Sequence, residues 1–169
     1  MLKKAFVAAA LMSTFAFNTA HAADGQINFT GRILASTCDI APGDVNQTVA
    51  LGAHAIDAFK GAGSQVGDTS FSFNLSGCDA SINGARVIFE GTRDDDNSDL
   101  LKVSAAQGVG IGIYEADGTT LVNLGQSSAL QPITSNAGVL AFVAKYVSTA
   151  ASVTAGEANA TADFTIQYP

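Results

Sequence analysis

The sequence has no tryptophan, only three prolines, two cysteines and two histidines in 169 residues. His21 falls in the leading segment, so His54 is the single imidazole beyond it. One histidine, with no serine in a G-x-S-x-G elbow, falls short of a hydrolase triad. It also falls short of a copper–zinc or zinc site, which takes several imidazoles or thiolates. Without tryptophan, a carbohydrate-binding face of exposed aromatics is disfavoured. Basic residues are scarce as well: 8 Lys and Arg against 15 Asp and Glu. Such a balance argues against nucleic acid and anionic lipid as partners. After residue 22 no stretch is long and apolar enough to span a membrane, which takes ~20 residues.

The first 22 residues read as a secretory signal. Lys3 and Lys4 give a basic start, Ala5 to Phe17 is almost wholly apolar, and Ala20-His21-Ala22 supplies the small residues of a cleavage site. Cleavage after Ala22 leaves 147 residues, a length that suits one domain, with a formal charge of −9. Charged residues make up only 14% of the chain. A core of small side chains, or a large interface, would account for that.

Cys38 and Cys78 are the only cysteines. Export places them in an oxidising compartment, where a Cys38–Cys78 bridge is expected. Closing a 40-residue loop stabilises a fold by ~4 kcal/mol in the chain-entropy account.

Turn signals recur at short intervals: Pro42-Gly43-Asp44, Gly61 to Gly63, Gly67-Asp68, Asn83-Gly84, Asp117-Gly118 and Asn136-Ala137-Gly138. Between them lie strand-like runs at Val49–Leu51, Ser70–Ser76, Arg86–Glu90, Val109–Tyr114, Val139–Ser148 and Asn159–Tyr168. Ser70–Ser76 puts Phe71, Phe73 and Leu75 on one face. Asn159–Tyr168 puts Ala160, Ala162, Phe164, Ile166 and Tyr168 on one face and polar residues on the other. Helix is confined to a turn or two within Ala53–Phe59. The pattern predicts an all-β sandwich or barrel.

The stretch ADGQINFTGRILASTC, Ala23 to Cys38, alternates just as cleanly, with Gly25, Ile27, Phe29, Gly31 and Ile33 on one side. Nothing in the sequence ties residues 23–31 to a neighbour. Such a strand either folds into its own sandwich or adds to the sheet of another protein.

Four motifs, in order, carry a resemblance. They are G-x-I-x-F-x-G-x-I-L-x-x-x-C (Gly25–Cys38), T-V-x-L-G (Thr48–Gly52), F-x-F-x-L-x-G-C-D (Phe71–Asp79) and the closing stretch Phe142–Pro169 with tyrosine next to last. Together they resemble the major pilin subunit of chaperone–usher fimbriae of the type 1 kind, over essentially the whole chain after residue 22. The resemblance implies an immunoglobulin-like β-sandwich that lacks its seventh strand. It implies three segments: a signal peptide at 1–22, a donor-strand extension at 23–32 and a pilin domain at 33–169. By position, Ala23, Gly25, Ile27, Phe29 and Gly31 would form the donor strand, with Gly25 where a groove leaves no room for a side chain. Ala160, Ala162, Phe164, Ile166 and Tyr168 would line the acceptor groove. The implied partners are neighbouring subunits in a homopolymer, a periplasmic chaperone and an outer-membrane usher. The implied destination is a fimbrium on the bacterial surface, with neither catalysis nor cofactor. A minor adaptor or tip subunit is the alternative within the family. A monomeric periplasmic β-sandwich that binds a ligand is the alternative outside it.

Two other features have plainer readings. Asp94-Asp95-Asp96-Asn97-Ser98-Asp99 lacks the glycine and distal glutamate of a calcium loop and reads as a solvated turn. His54 reads as a loop residue.

Overall fold

The computed structural model describes residues 28, 30 and 37–169. The signal segment and the donor-strand residues Ala23, Gly25, Ile27, Phe29 and Gly31 lie outside the described residues. The chain divides into two compact units, Met1–Ile33 and Leu34–Pro169. Every strand among the described residues belongs to the second.

That unit is a two-sheet sandwich. Its elements in order are β1 (Asp39–Ile40), α1 (Pro42–Val45), a 3-10 turn (Ile56–Ala58), β2 (Gln65–Ser76), β3 (Gly84–Gly91), β4 (Leu101–Lys102), β5 (Val109–Glu115), β6 (Gln131–Pro132), β7 (Gly138–Ser148) and β8 (Ala162–Gln167). One sheet has the order β1-β2-β7-β5-β4, the other β6-β3-β8, and every pairing is antiparallel.

Alternation decides which side chains meet between the sheets. Phe73 and Leu75 of β2, Val87 and Phe89 of β3, Ile111 and Ile113 of β5, and Leu140 and Phe142 of β7 are all buried there. The phenylalanines interlock, with Phe89 edge-on to Phe142 at 5.0 Å and Phe164 of β8 tilted over Phe73 at 4.2 Å. At one end the Cys38–Cys78 disulfide clips β1 to β2, just beyond the Asp39↔Ser76 pair. On the side where β6 approaches β7, the Gln131 amide does the work of a strand. Its oxygen accepts from the Ala141 N–H (2.8 Å) and its nitrogen donates to the Ala141 carbonyl (3.3 Å).

A second, smaller cluster lies on the far face of the larger sheet: Leu100, Tyr114, Val143 and Val147, with Leu121 against them. Lys145 is buried at its edge. Its ammonium reaches Asp68 (3.2 Å) and Gln65 (3.3 Å) and lies 5.2 Å from the Tyr114 ring centre. Burial, then the Asp68 charge, raises the Tyr114 phenol above its ordinary value.

The structure departs from the sequence expectations in detail. Val49–Leu51 is not a strand but an extended segment, held by side chains rather than by a backbone ladder. Residues 33–36, the start of the expected pilin domain, lie outside the described residues, and pairing begins at Asp39. β2 starts five residues earlier than expected, and β8 is shorter at both ends. The two-residue strands β4 and β6 carry no periodicity of their own. The turn signal at Pro42-Gly43-Asp44 closes into the single helical turn α1, with proline at its start, where a missing N–H costs nothing.

Candidate functional site

β8 is an edge strand. It pairs with β3 from Gly91↔Ala162 to Arg86↔Gln167 and with no other strand among the described residues. In an antiparallel ladder about half of a strand's backbone groups face each side. The side of β8 away from β3 therefore presents N–H and C=O groups that need partners. Beside that edge runs a groove of about 1050 Å³.

Its floor is the core itself: Phe71, Phe73, Phe89, Ile111, Ile113 and Ala144 all line it. One rim is Ala158 to Phe164, which leads into and includes the start of β8. The opposite rim is Asp44 to Gly52. An open trough over phenylalanine rings is what a sandwich shows where a strand's worth of side chains is missing.

The rim Asp44–Gly52 hangs on β2 by two side chains, Asp44 and Gln47. The Asp44 carboxylate accepts from the Asn74 N–H (2.7 Å) and from the Asn74 amide (2.9 Å). Those bonds, the backbone one first, hold the Asp44 carboxyl below its ordinary value. Gln47 donates to the Ser72 carbonyl (3.3 Å). His54, just past the rim, donates from Nε2 to the Leu51 carbonyl (2.8 Å).

Of the expected acceptor residues, Ala162, Phe164 and Ile166 lie in β8 with inward, half-buried side chains, and Ala162 and Phe164 line the groove. Ala160 lines it from just before β8 and is exposed. Tyr168 follows β8 and lies outside the groove lining. Burial raises its phenol, partly offset by the nearby Cys38 backbone N–H. Cys38 and Cys78 are bonded as expected.

Sequence reasoning missed Asp44, Gln47, Leu51, Tyr146 and Ala158 as groove residues. Only the T-V-x-L-G motif, Thr48–Gly52, gave a signal, since it spans the rim. Asp94–Asp99 is a turn in which the Asp94 carboxylate accepts from the Asp96 and Asn97 N–H groups (both 3.1 Å). Asp95 pairs with Lys102 at 2.6 Å on the surface.

A sandwich whose last strand, among the described residues, is paired on one side only and borders an apolar trough defines a class: the incomplete immunoglobulin-like domain, one strand short. The sequence profile described as "Fimbrial protein" matches residues 27–169. The chain is 40% identical to the probable major fimbrial subunit LpfA of Escherichia coli O157:H7, covering 97% of this chain and 94% of that one. It is 36% identical to the long polar fimbria protein A of Salmonella typhimurium, with the same coverage. Among solved structures, a type I fimbria protein and antigen of Burkholderia pseudomallei is 34% identical, with a TM-score of 0.63 over 78% of this chain and 88% of that one. This chain belongs to the fimbrial protein family.

Proposed function

We propose that this protein is a structural subunit of a bacterial surface fimbria and that it polymerises by strand exchange, without catalysis or cofactor. The observation that carries the reading is the unpaired edge of β8 above a floor of core phenylalanines. The occupant is Ala23 to Arg32 of a second copy of this chain. Ile27 and Phe29 fill the trough, and Gly25 and Gly31 pass where its walls come close. Each large side chain so buried contributes ~1.5–3 kcal/mol, in addition to the row of backbone hydrogen bonds along β8. Before assembly a periplasmic chaperone lends a strand to the same groove. An outer-membrane usher is where the neighbour's strand replaces it, so the mature fimbria stands outside the cell.

Deleting Ala23–Thr30 tests this directly. The shortened subunit should still be recovered bound to its chaperone but should fail to extend a fibre. Fibres of normal length from the deletion would overturn the donor assignment.

A further inference from the structure

We infer that Tyr146 and His54 form a stop at one end of the groove, setting how many residues of an incoming strand it accepts. The inference rests on the strand-accepting reading above, and the occupant is the extended segment of a second copy of this chain.

The groove has two unlike ends. Ile40 lines it at the disulfide-clipped end of the sandwich, with Phe164 on the β8 side. Towards Leu51 and Ala158 its rims converge on one residue of β7. Tyr146 donates its hydroxyl to the Ala158 carbonyl (3.1 Å), on the β8 rim. Its ring meets His54 edge-on at 5.9 Å, on the other rim. His54 in turn holds the Leu51 carbonyl at 2.8 Å. One tyrosine thus ties both walls together. A strand growing along β8 towards Ala158 would meet a carbonyl already taken and a ring across its path. Burial, then the Glu157 charge, raises the Tyr146 phenol, so it remains an O–H donor at neutral pH.

The seat for His54 is built into β2. A side chain on Gly67 would place its Cβ 2.5 Å from His54 Nε2, and Gly67 sits at φ +82°, where residues with side chains are strained. The β2–β7 register shifts there, between Val66 and Thr69. Bulge, glycine and imidazole together form a socket at the closed end.

Three labelled peptides test the stop against the full chain: Ala23–Arg32, and the same segment lengthened by Thr-Val at its N-terminus or at its C-terminus. The measurement is the dissociation rate of each, expressed relative to the parent peptide. With the natural chain, the peptide lengthened at the closed end should dissociate within twofold of the parent. Tyr146→Val, which keeps a strand-forming residue but removes the crossbar, should slow that peptide at least threefold relative to the parent. His54→Ala, a change at an exposed residue, should shift the ratio in the same direction by less. Unchanged ratios for both long peptides in both variants would overturn the stop while leaving the groove reading intact. Failure of the parent peptide to bind the natural chain would overturn the groove reading, and the stop with it.

Discussion

Truncating Phe164 to alanine separates the cost of folding from the cost of holding a neighbour. Phe164 stacks on Phe73 at 4.2 Å, yet it remains half-buried because its other side faces the groove. Removing a fully buried phenylalanine side chain costs about 3–5 kcal/mol. With the groove empty about two-thirds or more of the residue is already out of water, so the folding loss should be about 2–4 kcal/mol. With a donor strand seated, the remaining ring surface is covered and the loss should approach the full value. The difference, at most about 1–1.7 kcal/mol, falls on donor binding and corresponds to a release faster by at most roughly 5- to 20-fold. The assay is dissociation of a labelled Ala23–Arg32 peptide from the natural and Phe164→Ala chains, alongside guanidinium unfolding of each with and without peptide. If unfolding shows the expected loss while peptide release is unchanged, Phe164 does not form part of the occupied groove, and the reasoning fails.

The remaining predictions concern the frame around the groove. Replacing both Cys38 and Cys78 by serine should cost ~4 kcal/mol, read by denaturant unfolding, and reducing agent should then have no further effect. Gln131→Ala leaves the Ala141 N–H and C=O without their partner and should cost about 1–2 kcal/mol, read by urea unfolding. Gly67→Ala should be destabilising by about 1–2 kcal/mol, and the His54 ring resonances should move, since its seat is filled. Asp117 accepts from the Thr119 and Thr120 N–H groups and the Thr120 hydroxyl, which lowers its carboxyl from 3.8 to about 2. A depressed acid favours the folded turn above its ordinary range, and that benefit is lost as pH falls through about 2. The Thr119 and Thr120 amide resonances should therefore titrate near that pH rather than near 3.8. Asp44 is lowered in the same sense, so the midpoint of the Asn74 amide titration should lie below the ordinary carboxylate value.

Much of the sandwich is written in period-two alternation. Phe71-Ser-Phe73-Asn-Leu75 and Ala160 to Tyr168 announce both strand and buried face, because a strand half in water must alternate. The disulfide was legible from compartment and count. What could not be read shares one cause: its partners are remote in sequence and its own signal is short. β4 and β6 have two residues each and are made by what they pair with. Lys145, between Ala144 and Tyr146, looks like a strand's solvent-facing charge, yet it is buried because Asp68, Gln65 and Tyr114 converge on it from elsewhere. Val49–Leu51 has the composition of a strand, but the latches at Asn74 and Ser72 supply no backbone ladder. Tyr146 is one of two aromatics in β7, and only the fold shows that its hydroxyl crosses to Ala158. His54 is indeed a loop residue, though one seated on Gly67.

The second apolar cluster on the far side of the larger sheet has a mechanical consequence. β7 and β5 bury side chains on both faces, Phe142, Ile111 and Ile113 in the core on one side and Tyr114, Val143 and Val147 against Leu100 and Leu121 on the other. Among the described residues β8 has a single strand neighbour, β3. Emptying the groove therefore removes support from the three-stranded sheet and leaves the five-stranded one clamped as before. When a fibre is pulled, the stiff plank and the compliant flap belong to the same subunit, and yielding should start in the flap.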